Sequence, residues 1–223
     1  MRGIQSFQNL VINKFKARIY KYILIISYNF NLPILDNFIK KKIRFKKLNY
    51  PTVWLLNHER SSAEKEFFQK RKYNILLIEN LFLKELILFF GEDIYEKVKH
   101  KKYNGDGKVK FLRLILNKYN LRLIMSPALH YKINILGYLF RENDIKFIIY
   151  HRECYNFSKS HIRGFKSFLA KNNFYWKLVD CFIFHNEFYK KVFSNNLKIL
   201  KNKTEVIGPL RFSKMKFLKK NNN

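Results

Sequence analysis

Four of the chain's six histidines stand where an apolar run gives way to polar residues. His58, Glu59 and Arg60 follow the run Thr52 to Leu56; His151, Arg152 and Glu153 follow Ile145 to Tyr150; His185 and Asn186 follow Val179 to Phe184. Ser126 closes the run Leu121 to Met125, with His130 one helical turn later, and Arg211 comes soon after Thr204 to Gly208. Imidazole and carboxylate side chains together offer proton transfer near neutral pH, and guanidinium groups bind phosphate through paired hydrogen bonds. Each member also has a structural reading. A lone histidine at a helix start is more often a cap or a solvated side chain. Glu59 and Glu153 suit helix first turns, where a carboxylate is worth about 0.3–1 kcal/mol, and Arg152 suits an ordinary ion pair. The set says more than any member, provided the apolar runs are strands that end on one rim.

The surrounding pattern predicts that they are. The runs at 52–56, 74–79, 121–125, 145–150, 179–184 and 204–208 are short and rich in Ile, Val, Phe and Tyr, as buried strands are. Between them lie helical stretches. Ser61 and Glu64 have capping-box spacing, which starts a helix. Residues 81–100 read as helical with a break at Gly91 to Asp93, and Val109, Leu112, Ile115 and Leu116 fall on one helical face. Further helices are expected at 128–140, 160–171 and 187–193. Six strands separated by helices predict an α/β fold with a doubly wound, mostly parallel six-stranded sheet. In such folds ligands bind outside the carboxyl ends of the strands.

Charge divides the chain differently. Of the net +29, residues 1–50 carry eleven basic side chains against one acidic and residues 198–223 carry eight against one, so the termini supply +17. Residues 1–50 therefore read as a basic amphipathic helical extension, 51–213 as the α/β domain, and 214–223 as a basic disordered tail. The extension reads as two helices parted near Pro33. In the first, Phe15, Ile19, Tyr22, Ile23 and Ile26 recur at helical steps among Lys14, Lys16, Arg18 and Lys21. Such a face either packs on the domain behind it or lies on an anionic membrane surface. The apolar stretch from Ile19 to Phe30 is too short, at about 12 residues against about 20, to span a bilayer. A basic excess calls for an anionic partner: nucleic acid, a membrane face or phosphate-bearing molecules. Richness in Lys, Asn, Ile, Phe and Tyr with only 7 Gly and 4 Pro is also what an AT-rich genome imposes, so drift shares that excess. Cys154 and Cys181 form no disulfide framework, which suits a reducing cytoplasm.

Several chemistries lack their motifs. There is no phosphate-binding Gly-x-x-x-x-Gly-Lys loop, no Gly-x-Gly-x-x-Gly after a strand, no Gly-x-Ser-x-Gly elbow and no close histidine pair of the zinc kind.

Taken together, His58 to Arg60, the strand ending in Tyr150 to Cys154, the strand from Asp180 to Asn186, and Val206 to Phe212 resemble the N-terminal half of bacterial surface-carbohydrate glycosyltransferases of GT-B architecture. The last segment is similar to the Gly-x-Pro-Arg stretch that closes that half, with Leu210 inserted between Pro209 and Arg211. The resemblance covers roughly residues 52–213. It implies a Rossmann-like domain in a cytoplasmic enzyme peripheral to the inner membrane. The domain would hold a glycan or lipid-linked acceptor, with a nucleotide-sugar donor as substrate and no metal. It further implies His58 or Glu59 as general base, with Arg60, Arg152 and Arg211 screening phosphate charge. Ser126, His130, His151, Glu153, His185 and Asn186 would then line the substrate cleft. In that family the donor sits chiefly on a C-terminal domain, so the resemblance implies a fragment, a separate donor-binding chain, or a domain that has lost its partner. The alternative from charge and aromatics is a basic nucleic-acid-binding protein, ribosome-associated or organellar.

Overall fold

A computed structural model describes residues 2–44, 49–56, 62–91, 94–100, 107–126, 131–141, 144–150, 159–171, 173–196 and 202–207. The strands are β1 (Ile43–Arg44), β2 (Thr52–Leu55), β3 (Asn74–Leu77), β4 (Leu121–Ser126), β5 (Lys146–Tyr150), β6 (Cys181–Phe184) and β7 (Thr204–Val206). The helices are α1 (Arg2–Asn29), α2 (Ile34–Lys42), α3 (Ser62–Lys70), α4 (Asn80–Phe90), α5 (Ile94–Lys99), α6 (Gly107–Lys118), α7 (Ile135–Leu139), α8 (Lys159–Lys171), α9 (Asn173–Trp176) and α10 (Glu187–Asn196). A 3-10 turn, Tyr131–Asn134, leads into α7. Among the described residues no helix is long and apolar enough to cross a membrane.

The strands form one sheet in the order β1-β3-β2-β4-β5-β6-β7. Every neighbouring pair from β3 to β7 is parallel, so the fold is α/β with a mostly parallel sheet. The expected six strands are corrected to seven. The additional one, β1, lies in the basic N-terminal segment and pairs antiparallel with β3, Ile43 opposite Leu76. Two residues after a run of lysines carry no alternation from which a strand can be read.

Apolar residues on both sides of the central strands pack against the two cores, so these strands read as near-continuous apolar runs with charged residues mainly toward their starts, as at Arg122 and Lys146. Trp54, Leu76, Ile124, Phe147 and Phe182 point into the larger core, together with Leu24, Leu35, Phe82 and Leu112 from the helices. On the opposite face Val53, Leu55, Ile75, Met125 and Tyr150 meet Phe68 of α3. Gly91 ends α4 with φ 106, a conformation that only glycine adopts without strain, and separates it from α5 as its sequence suggests. α9 was not expected; it is four residues long and buries Trp176 completely, with its indole N–H donating to Leu169 O at 3.1 Å.

The face that α1 turns to the protein takes in only part of the stripe its sequence emphasises, with Ile23 packed against the core and Ile26 half-buried. Tyr20, Leu24 and Ser27 are buried, whereas Phe15, Ile19 and Tyr22 are exposed. Tyr20 meets the rings of Phe38 and Phe82 edge-on, at 5.6 and 5.5 Å between centroids. This aromatic cluster selects the inner face, each such pair being worth about 0.5–1.5 kcal/mol beyond its area.

Side chains stitch the edge at which the parallel strands begin. Thr52 Oγ1 donates to Tyr119 O, and Asn74 Nδ2 donates to Tyr50 O at 3.0 Å. Asp180 joins β5 to the start of β6: its carboxylate accepts from Phe147 N at 2.8 Å and its own N–H donates to Phe147 O at 2.9 Å. Lys203 Nζ donates to Val179 O at 2.9 Å and Lys177 O at 3.3 Å.

Candidate functional site

Because β2 and β4 to β7 run in one direction, their carboxyl ends lie along one edge. The chain moves outward from β2 to β3, then returns across β2 to β4 and continues the other way. At such a reversal the connections diverge to opposite sides and leave a crevice at the strand ends. Here the reversal falls between β2, which ends at Leu55, and β4, which ends at Ser126.

Of the residues singled out by sequence, Ser126, His185 and Asn186 are described. Ser126 is the last residue of β4, only 1% exposed, and stands in register with Ile149 of β5. His185 directly follows β6, is buried, and lies 4.7 Å from the ring of Tyr189. Asn186 caps α10: its Oδ1 accepts from Tyr189 N at 3.0 Å, satisfying a backbone donor left open at the helix start. Its structural reading therefore holds for the oxygen, and the amide nitrogen remains a donor. These three share an edge but sit on different strands, Ser126 on β4 and the other two after β6. His58, Glu59, Arg60, His130, His151, Arg152, Glu153 and Arg211 lie outside the described residues.

Two acidic residues at this edge were not singled out as site residues. Glu64, in the first turn of α3, is 1% exposed. Its capping-box spacing marks the helix start, but nothing in that spacing reports that the carboxylate is enclosed. Glu79 follows β3 and accepts ion pairs from Lys16 at 3.6 Å and Lys42 at 3.9 Å. Burial, reinforced by the hydrogen bond to Glu79 and its negative charge, pushes the Tyr20 hydroxyl up to about 12. α1 is thus tied to the edge that carries the strand ends.

A separate crevice of about 480 Å³ opens between α1 and α4, lined by Lys21, Leu24, Tyr28, Glu85, Phe89 and Lys108 among others. Lys108 is committed there to Phe89 O at 2.8 Å and also lies over the Phe89 ring. None of the residues singled out at the strand ends lines it. Among the described residues no three His, Cys, Asp or Glu side chains gather as a metal ion would require.

No protein-family model, no curated protein and no solved structure matches this chain.

Proposed function

We propose that the chain is the N-terminal, acceptor-side domain of a GT-B-like glycosyltransferase of surface-polysaccharide biosynthesis, with a Rossmann-like sheet. The observation that supports this reading is the reversal of strand order between β2 and β4, the kind of switch point at which α/β sheets bind ligands, with His58 and Glu59 following β2 in the sequence. In the reaction, an acceptor hydroxyl oxygen attacks the anomeric carbon of the donor sugar. Its proton passes to His58 or Glu59, and the bond to the nucleoside diphosphate breaks with its electron pair on the leaving phosphate. Arg60, Arg152 and Arg211 offset that developing charge. Ser126, His185 and the Asn186 amide supply hydrogen bonds on the acceptor side. The nucleotide-sugar donor is held mainly by a second domain, in the same or a separate chain.

Burial of the core aromatics weighs against base stacking by the sheet domain, although Phe15, Tyr22, Phe30 and Phe188 are exposed. Trp54, Trp176, Phe82, Phe147 and Phe182 are all enclosed in the core, where they cannot stack on bases.

Calorimetric titration tests the assignment. A detergent-dispersed lipid diphosphate-linked sugar is expected to bind the chain at least about tenfold more tightly than a free nucleoside diphosphate, since each decade is about 1.4 kcal/mol. The reverse preference overturns the acceptor-side reading. With a donor-binding domain supplied, His58→Ala or Glu59→Ala is expected to lower transfer by about 10²–10⁴-fold, as loss of a general base does. Full transfer by both variants removes the proposed base.

A further inference from the structure

We infer that the outward face of α1 is a docking surface for an anionic lipid bilayer. Two apolar stripes run along this 28-residue helix. The inner one, through Tyr20 and Leu24, is spent on the core. The outer one, Val11, Phe15, Ile19 and Tyr22, recurs at steps of four, four and three residues and so forms a line along one side. Phe15 is 65% exposed and Tyr22 60%, against 0% for Leu24. Single exposed apolar residues are ordinary on a protein surface, but a continuous line of them marks a contact face.

Charge selects the occupant. Lys14, Arg18 and Lys21 are exposed along one flank of the stripe, and α1 contains no Asp or Glu. A second copy of α1 laid along this face would bring these cations against their own counterparts. RNA would meet the cations but leave Val11 and Ile19 without an apolar partner. An anionic bilayer accommodates both features, with the aliphatic and aromatic side chains at the acyl boundary and the cations at the headgroup phosphates. The helix would lie in the interface plane rather than span it. The Lys16–Glu79 pair then holds the carboxyl edge of the sheet near the lipid. The inference does not depend on the transferase reading, because lipid binding is measured without substrate.

Co-sedimentation of the full chain with vesicles tests it. Binding to vesicles containing phosphatidylglycerol is expected to exceed binding to pure phosphatidylcholine by at least about tenfold and to weaken with salt. Phe15→Glu combined with Tyr22→Glu is expected to lose about tenfold or more of that binding while keeping the wild-type unfolding midpoint, since both side chains face water. An indole introduced by Tyr22→Trp should be quenched by brominated lipid; Trp54 and Trp176, both enclosed, provide the baseline. Wild-type vesicle binding by the double glutamate variant overturns the proposal, as does failure of the wild type to bind anionic vesicles. Two further results overturn it in favour of another occupant. One is a dimer that the glutamate pair converts to a monomer without changing vesicle binding; the other is retention on RNA that the pair abolishes while vesicle binding persists.

Discussion

The two edges of the sheet differ in what their polar side chains hold together. Where the parallel strands begin, Thr52, Asn74, Asp180 and Lys203 each engage a backbone group of a neighbouring segment. At that edge the polar residues serve as fasteners: they satisfy backbone groups that would otherwise be buried without partners, a cost of about 1–3 kcal/mol each. Where the strands end, Ser126 closes β4 at the reversal of strand order, and His185 and Asn186 follow β6, two strands away. Asn186 caps α10 there, and Glu79, after β3, pairs with Lys16 of α1 and Lys42 of α2. The difference teaches that the edge where strands begin is closed by bonds between segments of the sheet, whereas the edge where they end is joined to helices, α1 through Glu79 and α10 through Asn186, and each edge should respond to mutation in its own way.

Gly137→Ala is expected to have the largest effect and to sharpen the contrast. A Cβ at Gly137 would lie 2.4 Å from Leu178 O and 3.0 Å from Phe147 Cβ, both in the stitched region around Asp180. The carbonyl is backbone and cannot swing aside without disturbing the Asp180–Phe147 pair. Overpacking of this kind should cost about 3 kcal/mol, read as a fall in the urea midpoint with unchanged slope. A loss under about 0.5 kcal/mol, the usual range for surface substitutions, would mean that this edge is loosely packed.

The Asp36 cluster at the same edge should give a smaller, pH-dependent effect. Burial pushes the Asp36 carboxyl up, but the hydrogen bond from Tyr119 and the ion pair with Lys118, at 3.0 Å, outweigh it and hold the group below its ordinary value. Its contribution is therefore complete above the unfolded value of about 4 and is lost as pH falls through the depressed folded value. Tyr119 shows the reverse: burial, with the hydrogen bond to Asp36, raises its hydroxyl, so its contribution fades as pH rises above about 10. Asp36→Asn should cost about 1 kcal/mol at neutral pH, modest because Lys118 is exposed, and should flatten the acid limb of the stability profile. An unchanged acid limb in chemical-denaturation curves from pH 3 to 7 would remove Asp36 from the set of fasteners.

How much of this was legible follows from the range over which each signal acts. The strands from β2 to β7 were readable because each is a local apolar run, and the α4–α5 break was readable because Gly91 interrupts a helical pattern. β1 was not, since Ile43 acquires its strand character only by pairing with Leu76, far along the chain. On α1 both stripes are apolar, so the helical period alone could not choose between them. The choice was made by Phe38 and Phe82, which close around Tyr20. Burial of Glu64 depends likewise on packing across elements, and a capping-box spacing is silent about it. At the candidate site, sequence supplied the residue types, and of these Ser126, His185 and Asn186 lie at strand ends in the described residues. Asn186 as the α10 cap was within reach of sequence too, because asparagine just before a helix favours that role.

The smallest effect on stability is expected from Asn186→Asp, and it separates the two uses of a polar residue at a single position. Aspartate caps helices as well as asparagine does, so its oxygen can accept from Tyr189 N in the same way, and its charge suits a helix N-terminus. Stability should stay within about 0.5 kcal/mol of wild type, whereas Asn186→Ala should lose about 1 kcal/mol with the cap. What aspartate cannot supply is the amide donor, and it adds a negative charge at the end of β6. If that edge holds a diphosphate-linked acceptor, Asn186→Asp should weaken its binding more than Asn186→Ala does, although Asn186→Asp is the better folded of the two. Equal binding by all three proteins would make Asn186 a fastener like those at the opposite edge and would move the acceptor away from the end of β6.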